Sequence, residues 1–270
     1  MLKQIAMRVT PHPVYRLWRS WRVAQLVRAF DSYEVQETFG GHVLRLLITD
    51  PLAKGWYTEP WPELSEVREL RSIGALRAGS TVFDLGAHQG VVALMLGREV
   101  GATGRVIAIE AEPHNARVAS RNVELNDARN VTVVHAAASD VIGSINFAVG
   151  LNGSVDSDTR IGNVEVTSVT VDCLAARYGA PDVVFVDVEG YEGLVLAGAR
   201  EVLASRDAAF VIEVHVGDLV GCDAADILAA FDGYDVRVAD GDGANGAGAF
   251  RPAAGGLPEQ RFFLLAAPRR

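Results

Sequence analysis

The sequence predicts an α/β protein with a doubly wound, mostly parallel sheet, preceded by an N-terminal extension of helix and hairpin. Three observations carry this. From residue 81 to residue 266, short apolar runs alternate with stretches of helical period. The runs are nearly continuous in Val, Ile and Phe, as strands buried on both faces are. Several of them end in an acid or a histidine (Asp84, Glu110, Asp187, His215), at the sheet edge where open α/β folds bind ligands.

The 270 residues are 49% hydrophobic and 22% charged, a globular composition. A net charge of −9 argues against a nucleic-acid partner, which would need a basic face. Cys173 and Cys222 are too few for a disulfide framework or a cysteine zinc site. With no uncharged apolar run of about 18 residues and no signal peptide at its start, the chain is expected in the cytoplasm.

Residues 1–78 read as the extension and 79–270 as the main domain. Lys3, Arg8, Arg16, Arg19, Arg22 and Arg28, with no acid among them, give residues 1–30 a charge of +6 and leave −15 on the rest. Over 13–30, Val14, Leu17, Trp18, Trp21, Leu26 and Phe30 recur at helical spacing. Such a face packs on its own domain or lies on an anionic membrane surface. Runs 33–39 and 42–48, joined by Gly40-Gly41, predict a hairpin. GWYTEPWP (55–62) reads as a loop, and 63–76 as a helix.

In the main domain, strands are expected over 81–85, 106–110, 131–135, 183–187 and 210–215, with closing strands at 236–238 and 262–266. Helices are expected over 91–100, 114–126, 191–205 and 224–231. Residues 143–171 read as additional β-structure. Residues 240–258, with six glycines and two prolines, read as a loop.

VFDLGAHQG (82–90) ends a strand in Asp84 and turns through Gly86 and Gly90 into a helix. Its spacing, D-x-G-x-x-x-G, is not the G-x-G-x-x-G of nicotinamide folds. Twenty residues after Gly90, Glu110 ends the next strand, where a carboxylate accepts both hydroxyls of a ribose. Two matched strand-end acids favour a nucleoside ligand.

The turn resembles motif I of class I S-adenosylmethionine methyltransferases, a Rossmann-like fold. Further blocks resemble the FkbM family of these enzymes: FDLGAHQG (83–90), RVIAIEAEPHN (105–115), RNVELN (121–126), NVTVVHAAASD (130–140), VTVDCLA (169–175), VVFVDVEGYEGLVLAGA (183–199) and FVIEVH (210–215). The resemblance implies a methyltransferase with S-adenosylmethionine as cofactor. It puts Asp84, Gly86, His88, Gly90 and Glu110 around that cofactor and Ser139 and Asp140 near its adenine. Two positions depart from many members: His88 stands for Asn, and Phe185 for Lys.

Asp187 follows a strand directly and is expected to orient the methyl donor or the acceptor; Glu189 and Tyr191 belong to the acceptor side. Glu189 has a second reading, as a cap for the following helix. Alternation turns Glu213 and His215 to one face of the sheet. His215 is the first candidate for the base that takes an acceptor proton, ahead of Asp187, with a carboxylate such as Glu213 holding its imidazole. No compact ligand motif is present and the resemblance implies no ion, so no metal is expected.

The expected function is O-methylation of a hydroxyl on a small molecule or saccharide, or on a lipid-linked acceptor if the basic helix touches membrane. A nicotinamide-dependent oxidoreductase and a non-catalytic nucleoside-binding domain stay open as alternatives.

Overall fold

The computed structural model describes residues 25, 27–148, 154–155, 164–241 and 247–269. Most of the expected basic helix over 13–30 lies outside these residues, as do parts of 143–171 and 240–258.

The hairpin is where the sequence puts it. Strands β1 (Tyr33–Phe39) and β2 (His42–Ile48) pair antiparallel from Tyr33 with Ile48 to Phe39 with His42. Gly40 and Gly41 both have positive φ, +57° and +86°, which a two-residue turn of matching twist demands. Alternation buries Leu44, Leu46 and Ile48 and exposes Val43.

Of the loop expected over 55–62, residues 58–62 hold no helix, while 55–57 instead end helix α1 (Pro51–Tyr57). Proline at its start costs no hydrogen bond. Asp50 caps it, accepting from the backbone N–H groups of Leu52 (2.9 Å) and Ala53 (2.8 Å). Helix α2 (Ser65–Ser72) follows.

The main domain then runs β3 (Thr81–Leu85), α3 (Val91–Val100), β4 (Arg105–Glu110), α4 (Pro113–Leu125) and β5 (Val131–His135). Short strands β6 (Ala137–Ala138), β7 (Gly143–Ala148), β8 (Ser154–Val155) and β9 (Val164–Val169) form a separate small sheet, the additional β-structure expected there. Helix α5 (Val171–Tyr178), unread in the sequence, starts at a Thr170 side-chain cap. Next come β10 (Val183–Val186), α6 (Glu192–Ala197), α7 (Arg200–Ser205), β11 (Ala209–Val214), α8 (Ala224–Ala229), β12 (Tyr234–Asp240), β13 (Arg251–Pro252) and β14 (Phe262–Pro268). The single helix expected over 191–205 is thus two, interrupted at Gly198 and Ala199.

The large sheet has the order β13-β12-β14-β11-β10-β3-β4-β5. Strands β11, β10, β3, β4 and β5 are parallel neighbours, and β14 enters antiparallel between β11 and β12. Strand order reverses between β3 and β10, so a crevice opens at their carboxyl ends.

Alternate residues of the parallel strands feed two cores. Val82, Val106, Ala108, Val183, Phe185 and Val211 pack on one side with Phe39, Leu44, Leu46 and Leu70 of the extension. Phe83, Ile107, Val184, Phe210 and Ile212 face the other. Two buried faces explain why the runs are apolar at every position rather than every second one.

Candidate active site at the carboxyl edge of the sheet

A cavity of about 480 Å³ opens over the ends of β3, β4, β10 and β11, within the range of sites for nucleotide-sized ligands. Asp84, Gly86, His88, Glu110, Asp187, Glu189, Tyr191 and Glu213 line it. Gly90, Ser139, Asp140 and His215 are not among its lining residues. The wall before Ser139 is Ala136–Ala138, and the Ser139 hydroxyl is turned to Asp140 (3.1 Å).

The motif I turn lies in close contact with β10. Gly86 has φ +90°, and a Cβ on it would overlap the carbonyl oxygen of Asp187; only glycine meets both conditions. The backbone N–H groups of Gly86 and Ala87 donate to the Ile109 carbonyl (2.9 and 3.0 Å). The backbone N–H of His88, itself at φ +47°, donates to Glu110 Oε2 (2.7 Å), while Glu110 Oε1 accepts from the Glu112 N–H (2.7 Å). The turn and the strand-end acid are therefore one hydrogen-bonded unit.

Both acids are buried, and this sets their protonation. Burial pushes Asp84 up from 3.8 to about 7. Burial also pushes Glu110 up from 4.5 to about 8, against the opposing pull of its two backbone N–H donors. Asp84 Oδ2 is shut off from solvent without a hydrogen-bond partner, an acceptor awaiting a donor.

These features fit S-adenosylmethionine. Glu110 keeps lone pairs for ribose hydroxyls, and Asp84 has an orphan oxygen for a cationic amino-acid end. Gly86, with no side chain, lets the turn close on the Asp187 carbonyl, so that both strand ends share one edge.

The opposite wall comes from the extension. Trp56, Tyr57 and Trp61 line the cavity. The Tyr57 hydroxyl lies 2.8 Å from His88 Nδ1, and Trp56 packs on the His88 ring with centroids 5.2 Å apart. The sequence puts this aromatic segment in a loop and singles out none of these three residues for the site; its composition is the available signal. Arg261 and Phe263, from the last strand region, also line the cavity, and no local motif announces them.

At the β10–β11 end, Asp187, Glu189, Glu192 and Glu213 surround His215. Its Nε2 stands 3.8 Å from Asp187 Oδ1, 3.5 Å from Glu189 Oε2 and 3.6 Å from Glu213 Oε1. Its Nδ1 is 2.7 Å from Oε1 of Glu192, a residue with no exposed surface. The carboxylate expected to hold the imidazole was Glu213; the structure gives that contact to Glu192. Glu213 Oε1 instead takes an ion pair from Arg261 Nη1 (2.8 Å). Helix α6 starts at Tyr191, whose own side chain makes no cap bond.

Charge crowding shows in the proton affinities. Burial pulls His215 down, but the Glu192 hydrogen bond and the carboxylates around it prevail, to about 9. Burial and the Glu213 charge push Asp187 well up. Its side chain is 41% exposed, on the cavity side, while Oδ1 itself is sealed and without a hydrogen bond.

A sequence model of the methyltransferase FkbM domain matches residues 84–235, more than half of the chain. A probable cobalt-precorrin-6B C(15)-methyltransferase of Sulfolobus acidocaldarius is 34% identical over 82 residues, 30% of this chain and 43% of that protein. An arsenite methyltransferase of Halobacterium salinarum is 38% identical over 61 residues, 23% and 16% of the two chains. The matched stretches thus span less than half of either relative. Among solved structures, an FkbM methyltransferase of Methylobacillus flagellatus has a TM-score of 0.48 at 18% identity, covering 70% of this chain and 43% of that one. Aeropyrum pernix fibrillarin, crystallised with S-adenosyl-L-methionine, has a TM-score of 0.43 at 15% identity, covering 90% and 86%. On the family match, this chain belongs to the FkbM methyltransferases.

Proposed function

We propose that the chain methylates a hydroxyl oxygen of a small molecule or saccharide. The observation that carries this is the Glu192–His215 pair. With Nδ1 engaged by a buried carboxylate, Nε2 is the ring nitrogen left at the Asp187–Glu213 edge of the cavity. An alcohol becomes a useful nucleophile as its proton leaves; a held imidazole takes that proton in its neutral form, which the carboxylates around His215 confine to the alkaline side, near pH 9.

Residues of this chain would divide the work. Asp84, Gly86, His88 and Glu110 bind the donor, and Asp187 orients donor and acceptor against each other. Glu189, Tyr191 and the aromatic wall of Trp56 and Trp61 enclose the acceptor and exclude water. S-adenosylmethionine supplies a sulfonium methyl whose carbon–sulfur pair stays with sulfur as the acceptor oxygen bonds the methyl carbon. Most of the acceleration then comes from alignment, with proton removal at His215 Nε2 adding to it.

The test uses donor labelled with carbon-13 in its methyl group and a panel of hydroxylated small molecules and saccharides. A methoxy signal in the product is expected. A methyl bonded to carbon or nitrogen overturns the hydroxyl reading. Calorimetry with S-adenosylhomocysteine and NADH in parallel tests the donor itself, with binding of the homocysteine form alone expected.

A further inference from the structure

Around His215 Nε2 three carboxylates gather at ion-pair distance. At Nδ1 the imidazole closes on Glu192 to 2.7 Å. At Nε2, carboxylate oxygens of Asp187, Glu189 and Glu213 stand off at 3.5–3.8 Å, and none makes a hydrogen bond to it.

That stand-off has a physical meaning. Nitrogen and oxygen ligands about 2.0–2.2 Å from one cation lie roughly 3–3.6 Å from each other, from octahedral to tetrahedral geometry. Asp187, Glu213 and His215 each present a ligand atom, and these atoms all lie within 4.8 Å of one another. Two further observations point to an occupant. His215 is only 7% exposed, yet its Nε2 is directed into the cluster without a hydrogen bond. Asp187 Oδ1, one of the candidate ligand atoms, is sealed from solvent and has no hydrogen-bond partner.

We propose that Asp187, Glu213 and His215 form a binding site for one divalent cation at the acceptor end of the cavity. This departs from the expectation of no metal drawn from the sequence. One imidazole and two carboxylates suit a borderline or hard ion such as Mn²⁺. Glu192 is the outer partner that fixes the ring, in the manner of carboxylate–histidine–metal sites. Arg261 stays on Glu213, whose oxygens have lone pairs for both. The inference rests on the hydroxyl-methylation reading only in placing the acceptor at this edge. In the ion-loaded chain His215 Nε2 would be a ligand and the ion would position the hydroxyl and raise its acidity; in the ion-free chain Nε2 keeps the role given above.

The test is titration of the full chain with Mn²⁺, following the paramagnetic resonance of the free ion. One ion per chain is expected. Affinity should fall at least tenfold in His215→Gln and in Glu213→Gln and persist in Asp84→Asn, which lies outside the ligand set. Retained S-adenosylhomocysteine binding in the two weakened variants shows that they are folded. No binding up to millimolar Mn²⁺, or equal binding in the variants, overturns the site. Hydroxyl methylation by a protein that binds no Mn²⁺ overturns the site and leaves the proposed function standing. A Mn²⁺ site in a protein that methylates carbon does the reverse.

Discussion

Glu192 Oε1 lies 2.7 Å from His215 Nδ1 and also accepts from the Gly190 backbone N–H at 3.0 Å. A fully buried carboxylate thereby sets the orientation of a ring whose other nitrogen faces the cavity edge. Whether Nε2 takes a proton or binds an ion, Glu192→Gln removes the charge that holds it. Methyl transfer should fall roughly 10- to 100-fold with S-adenosylhomocysteine binding kept. Nitrogen-15 shifts of the His215 ring should report a changed tautomer mixture, and an unchanged ring together with unchanged turnover would sink this role.

Gly86→Ala places a Cβ against the Asp187 carbonyl at a φ that disfavours it. The loss of stability should be about 2–4 kcal/mol, from backbone strain and overpacking together. Urea unfolding measures it. A cost under about 1 kcal/mol would mean that β3 and β10 separate more easily than their register implies.

The pH dependence of the cofactor-free chain has a definite sign. Unfolded, Asp84 and Glu110 lose their protons at their ordinary values of 3.8 and 4.5; folded, they keep them to about 7 and about 8. The folded state binds the extra protons, so this stabilisation is complete below about pH 4 and is lost as pH rises through 7 to 8. Thermal unfolding should show Tm falling from pH 5 to pH 8, and Asp84→Asn with Glu110→Gln should flatten that fall.

Asp50 joins the extension to the cofactor turn. It caps α1, accepts from Gln89 Nε2 at 2.7 Å and sits 3.5 Å from His114 Nε2. Burial pushes it up, but these hydrogen bonds and the His114 charge prevail and hold it near 2. Asp50→Ala removes the cap and leaves the buried Gln89 amide short of an acceptor, a cost of about 2–4 kcal/mol at neutral pH. The native contribution is present above pH 4 and lost as the pH falls through about 2, so the difference between wild type and variant should narrow in acid.

The sequence by itself determined the sheet and the cofactor edge. Continuous apolar runs such as VVFV (183–186) and AFVIEV (209–214) can be buried only on both faces, which makes them inner parallel strands. An acid at the end of such a run can reach only the sheet's carboxyl edge, so Asp84 and Glu110 followed from local pattern. Gly40-Gly41 fixed the hairpin in the same local way. Tertiary structure decided what meets at that edge. Trp56, Tyr57 and Trp61 come from before the first main strand, and Arg261 from just before the last. They reach one cavity because the hairpin packs on the sheet and β14 inserts beside β11. The partner of His215 was settled likewise: Glu213 lies two residues away, but its carboxylate reaches the Nε2 side, and Nδ1 turns to Glu192, at the start of a helix from another strand end. Alternation along a strand shows which face a side chain takes; only the packing of elements distant in sequence shows which atom it meets there.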